Sequence, residues 1–261
     1  MQTTQEKIEN IKNNGYELDF GDVFSNGFEI YKKIAGNAGV AFLILTIVFI
    51  SLFAGIAGAA FGFGDFASQL TQFNIANFSI IAVLIYLLVT VLVTAFMAPF
   101  SAGILKMAYC AAKNEEFSLS TAFDYYKSHY FKELFIATLI ITFFSSGINI
   151  ALEYSGIKFV GALVVYFFNF ICFLYVPLII FGGLKAIDAI QNSASLVVKQ
   201  PFIIIGLLLV SFMLAMFGII GFCIGIFFTL PLIYAVHFSI YDSIIGTNKS
   251  SELDEIGSFV E

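Results

Sequence analysis

Polar and apolar positions along this chain separate into long blocks, not into the short stripes of a soluble domain. The longest block lies between Lys199 and Asp242, forty-two residues without one charge. As a single helix it would reach about 63 Å at ~1.5 Å per residue, against a bilayer hydrocarbon core of ~30 Å. The block is therefore predicted to cross a membrane twice. Its turn falls among Gly218, Gly221 and Gly225, and the chain leaves through Tyr234, His237, Tyr241 and Asp242. The same reading upstream predicts six spans, at 39–61, 78–105, 134–152, 159–184, 201–220 and 222–241.

Between the blocks the period changes to that of amphipathic helix. Phe24, Phe28, Tyr31 and Ile34 share one face, away from Asn26, Glu29, Lys32 and Lys33, with Asp22 as the expected N-cap. In 115–132, Phe123, Tyr126 and Tyr130 oppose Asp124, Lys127 and Ser128, and Thr121 with Asp124 has the spacing of a capping box. Ile187, Ile190, Ala194 and Val197 oppose Asp188, Gln191, Ser195 and Lys199. Aromatic stripes beside lysines suit helices lying at a membrane surface. The expected fold class is an all-α polytopic bundle of six transmembrane helices with three cytoplasmic amphipathic helices. Residues 1–19 read as a loosely ordered polar tail, 20–246 as the membrane domain, and 247–261 as an acidic disordered tail.

Pro99, Pro177 and Pro231 fall in the returning helix of each expected hairpin, followed by Gly103, Gly182 and Ala235. Each is an expected kink, because proline frees a carbonyl that neighbours in a membrane must satisfy. Two explanations stay open. The chain is a three-fold hairpin repeat, or helix packing alone has recruited proline and small residues at these places.

Composition strengthens the membrane reading. Apolar residues make up 60% of the 261 and charged residues only 11%, against about a quarter in soluble domains. In a six-span arrangement eleven of the twelve lysines fall on one side, and Lys158 alone on the other. The positive-inside rule then places both termini in the cytoplasm. The net charge of −6, carried mainly by the ends, argues against a nucleic-acid partner. Cys110, Cys172 and Cys223 are widely separated, and buried inert thiols are expected.

Candidate chemistry is sparse. An ionisable group at membrane depth marks function by default, and the central parts of these spans hold none. Asn149 and Asn169 are candidate ligand or lipid contacts, though such residues more often bond helix to helix. His237 and Asp242 are candidates at the end of span six. Metal sites need clustered His, Cys or carboxylates, which two distant histidines do not supply. No cofactor and no catalytic site are expected.

The stretch Gly183-Leu-Lys-Ala-Ile-Asp-Ala-Ile-Gln-Asn-Ser193, with Gly221, Gly225, Thr229-Leu-Pro231 and the exit at Tyr241, resembles a group of uncharacterised bacterial six-span membrane proteins. They include YciC-like proteins and the membrane domain fused to some glycerophosphodiester phosphodiesterases. The resemblance implies a bacterial inner-membrane location and no catalytic domain. The expected function is a scaffold, assembly or lipid-organising module. Its partners would be the bilayer and either a second membrane protein or another copy. The alternative is a small permease for a lipid-like or apolar solute, which would need a cavity reaching the midplane.

Overall fold

The computed structural model describes residues 3–61, 79–220 and 224–247. The loop expected between spans one and two, Gly221 in the last turn and the acidic tail lie outside these residues. Every regular element described is helical: α1 (Thr4–Asn14), α2 (Phe20–Phe61), α3 (Ile80–Lys113), a 3₁₀ segment (Leu119–Tyr126), α4 (Phe131–Tyr154), α5 (Lys158–Ile171), α6 (Tyr175–Ile180), α7 (Ala186–Val197), α8 (Pro201–Met216), α9 (Gly225–Thr229) and α10 (Pro231–Ile244). Six stretches are long and apolar enough to span a bilayer.

The leading segment is more ordered than its composition suggests. Thr3 and Glu6 form a capping box, with the Thr3 amide donating to Glu6 Oε2 at 2.9 Å. That starts α1, whose Ile8 and Ile11 are buried. Tyr16 Oη donates to the Leu196 carbonyl at 2.9 Å, and the Leu18 amide donates to Gln200 Oε1 at 3.1 Å. The segment thus docks across the chain onto the region of α7.

Next, α2 runs unbroken for 42 residues, about 63 Å. The segment expected to lie at the membrane surface and span one are therefore one helix. Its N-cap is Asp19, whose Oδ1 accepts the Asp22 amide at 2.8 Å, one turn before the expected cap. The 115–132 segment likewise differs from expectation. It is a short 3₁₀ helix, whose reciprocal cap joins Ser118 to Thr121. In α7 the buried residues are Ala186, Ala189, Ser193, Leu196 and Val197, while Ile187 is exposed. The buried stripe therefore lies one position round from the predicted one.

Spans four and six are broken. The former divides into α5 and α6 across 172–174, and the latter into α9 and α10 at Leu230, with Pro231 opening the second piece. By contrast Pro99 sits inside continuous α3. The three prolines thus occupy different local settings.

Packing divides the molecule into two layers. At the lysine-bearing end, α1, the first half of α2, the last third of α3, α6, α7 and α10 enclose one core. Ile34, Ile104, Leu105, Leu178, Leu196, Phe238 and Tyr241 are within 1% of complete burial. Close approach is built in there. At Gly103 a Cβ would strike the Ala122 carbonyl, and at Gly27 it would lie 2.9 Å from the Val236 Cα. Beyond this layer α2 and α3 expose Ile47, Ile50, Leu52, Leu84 and Leu88, which in water would be untenable and in lipid is solvation.

Candidate functional site: a polar seam at the helix breaks

A helix loses one backbone hydrogen bond at each internal proline, because the ring nitrogen carries no proton. For Pro177 the orphan is the carbonyl of Phe173, four residues earlier. His237, from α10, reaches this point: its ring stacks on that of Phe173 with centroids 3.8 Å apart. Among the described residues its Nε2 has no hydrogen-bond partner, and the ring is buried in the packed interior beside the break at Pro177.

Ser193 closes the rest of the break. Its hydroxyl donates to the Ile171 carbonyl at 2.9 Å and accepts the Leu174 amide at 2.9 Å. One residue of α7 thereby bridges the last carbonyl of α5 and the amide of Leu174, the residue just before α6. At the second break Thr229 Oγ1 bonds the Ala215 carbonyl of α8 at 2.7 Å and the Gly225 carbonyl at 3.2 Å. Near Pro99, Tyr126 Oη donates to the Phe96 carbonyl at 3.1 Å. Pro99, Pro177 and Pro231 therefore each have a neighbouring side chain that bonds nearby backbone.

Hydroxyls extend the seam across four elements. Thr138 Oγ1 of α4 donates to its own helix at Leu134 O, 2.8 Å, and so accepts from Tyr175 Oη of α6 at 2.9 Å. Ser101 of α3 and Tyr234 of α10 bring their hydroxyls to 3.4 Å. Imidazole and hydroxyls can orient and hydrogen-bond a small polar group. None of these residues contributes a carboxylate or an ammonium.

Of the residues singled out in the sequence, Tyr126, Thr229, Tyr234, His237 and the prolines Pro99, Pro177 and Pro231 belong to this seam. Asn169 is exposed and donates to its own helix at Val165 O, 2.8 Å. Asn149 packs its Oδ1 where a Cβ on Gly161 would come, 2.8 Å away, so it marks the close approach of α4 and α5. Asp242 accepts the amide and hydroxyl of Thr247 at 2.8 and 2.6 Å, closing the end of α10. The three are not brought together. Sequence reasoning missed Ser101, Thr138, Tyr175 and Ser193 as members. A signal existed, since Ser101, Tyr175 and Tyr234 each lie within three residues of a span proline.

Two apolar clefts open on the flanks. One, of about 370 Å³, is lined by Phe49, Leu92, Val93, Phe96, Met97 and Phe135. The other, of about 340 Å³, is lined by Phe212, Met213, Met216 and Phe217. Among the described residues no group of three His, Cys, Asp or Glu is placed to hold a metal ion.

Among the described residues the protein is all-helical, with six helical stretches long and apolar enough to cross a membrane. Compared with family models, curated proteins and solved structures, the chain matches none.

Proposed function

We propose that this chain is a non-enzymatic module of a bacterial inner membrane, organising lipid or scaffolding a second membrane protein, with its lysine-bearing end in the cytoplasm. One observation carries the reading. Among the described residues the polar groups of the interior, His237 Nε2 apart, are bonded to one another or to backbone near the proline breaks, while the two clefts described are carbon-lined. A protein that moves polar solutes places matched groups along a route. This one places them where its own backbone needs them. The lysine distribution supports the orientation through the positive-inside rule, and the resemblance to uncharacterised six-span bacterial proteins supports the location.

A second reading, a small permease, draws on a different observation. Broken helices meeting inside a bundle mark substrate sites in many transporters, and here the unpartnered Nε2 of His237 sits beside such a break.

Isolation of the full chain in native-lipid particles, with mass spectrometry of everything bound, separates the two. The module reading expects enriched lipid or a reproducible protein partner. A stoichiometric non-lipid solute, lost in His237→Ala, would replace it with the permease.

A further inference from the structure

Most lysines at the packed end are held by the fold. Lys33 Nζ donates to the Ala111 carbonyl at 2.9 Å and to Asn114 Oδ1 at 2.7 Å, Lys7 to the Ile245 carbonyl at 2.9 Å, and Lys199 to the Lys12 carbonyl at 2.8 Å. Each closes the end of a helix, where carbonyls lack intrahelical partners. Lys12 bonds Asn192 Oδ1 at 2.7 Å, Lys32 pairs with Glu29, and Lys106 lies over the ring of Tyr125. Lys113, Lys127, Lys132 and Lys185 make no hydrogen bond or ion pair among the described residues, and of these Lys127 and Lys132, both exposed, stand on either side of Phe131 in the chain.

Their surroundings are specific. Tyr126, next to Lys127, bonds the Phe96 carbonyl and sets its ring 5.3 Å from that of Phe96. A row of rings continues from Tyr126 to Phe131 at 6.4 Å and from Phe131 to Phe135 at 5.9 Å. Phe96 and Phe135 both line the larger apolar cleft, between α2, α3 and α4. The carbon-lined cleft therefore borders a short aromatic segment that carries two uncommitted ammonium groups. Of the nearby acids, Glu133 is engaged, accepting the Ala186 amide at 2.8 Å, and Asp124 is exposed on the 3₁₀ segment.

An apolar trough beside cationic groups matches a molecule with an acyl chain and a negative head. We propose that this cleft is a specific site for one anionic glycerophospholipid, its chain against Phe49, Val93 and Phe135 and its phosphate held by Lys127 and Lys132. The proposal deepens the lipid-organising reading and rests on it. A zwitterionic headgroup would bring its own cation toward the two lysines, so the site discriminates by headgroup charge. Lysines near a membrane surface attract anionic lipid individually, and two at one cleft add their effects.

The test is native mass spectrometry of the full chain in detergent, with phosphatidylglycerol or phosphatidylcholine of matched chains added. One phosphatidylglycerol should be retained over phosphatidylcholine by about five-fold or more, as expected for two lysines acting on one anionic head. K127Q/K132Q should bring it down to the phosphatidylcholine level. Val93→Trp, which puts a large ring into the cleft lining, should reduce retention of both lipids. Equal retention of the two lipids by the unmodified protein, or undiminished phosphatidylglycerol on K127Q/K132Q, would overturn the proposal. Should Val93→Trp fail to fold, the charge variant decides alone, because both its positions are exposed. Loss of the headgroup preference while lipid or a partner protein still copurifies sinks this site and leaves the module reading. A stoichiometric solute with the preference intact does the reverse.

Discussion

The outer half of α2 and the body of α10 are both apolar helix, yet the structure treats them oppositely. In the most apolar window of span one only 11% of positions are buried within the protein, whereas in span six half are. The difference lies in side-chain choice. The outer part of α2 is mostly Ile, Leu, Phe and Val, with only Thr46 and Ser51 as polar side chains over residues 41–61. In α10, Tyr234, His237, Ser239 and Tyr241 are interleaved with Ala235, Val236 and Phe238, so each turn offers a bond as well as a packing surface. Ser239 shows the effect: it donates to the Val23 carbonyl at 2.8 Å and accepts from Asn26 at 3.2 Å, fastening α10 to the start of α2. Hydrophobicity puts a helix in the membrane. Small and polar residues decide whether it then faces protein or lipid.

Substitutions in the two regions should therefore have unequal costs. The largest effect is expected for Phe238→Ala, which removes a fully buried ring that meets Tyr109 and Phe181. It should cost about 3–5 kcal/mol, read as the midpoint of detergent-driven unfolding. Ser193→Ala should follow at about 2 kcal/mol, because it leaves the buried Leu174 amide without an acceptor. Hydrogen exchange should then rise at 172–175 before it rises elsewhere.

A smaller effect concerns the docked leading segment. Burial pushes the Tyr16 hydroxyl from its usual 10.0 up to about 12. The neutral phenol that donates to Leu196 thus persists in the folded protein after the unfolded chain would have ionised. The contribution is complete below pH 10 and is lost as pH rises from 10 toward 12. Proteolysis of α1 should accelerate across that window, and Tyr16→Phe should abolish the pH dependence. The smallest effect is expected for Ile50→Ala, exposed on the outer part of α2. It should change stability by less than about 0.5 kcal/mol, and a loss near that of Phe238→Ala would erase the contrast between the two regions.

Much of this was legible in the chain. Six spans follow from charge-free length alone, and Pro99, Pro177 and Pro231 pointed to the places where backbone needs outside partners. What sequence could not give is which partner each break recruits. Ser193 is separated from Leu174 by nineteen positions, and His237 from Phe173 by more, so only the packing of α7 and α10 brings them together. Asn149 and Asn169 looked like ligand contacts because they are polar in an apolar setting. In the structure Asn149 lies against Gly161 and Asn169 donates to its own helix. The order of α1 was hidden because its stability comes from Leu196, Gln200 and Asn192, far along the chain.

The division into a packed lysine-bearing layer and a lipid-facing layer is tested most directly by spin labels in liposomes. The labels would be placed singly at Ile50, Leu88, Glu29 and Lys113 after replacement of the native cysteines. Oxygen should relax the labels at Ile50 and Leu88 while a water-soluble nickel complex should not, and the pattern should invert at Glu29 and Lys113. Nickel access at Ile50 or Leu88 would mean that water, not lipid, covers those faces, and would contradict the layered membrane module.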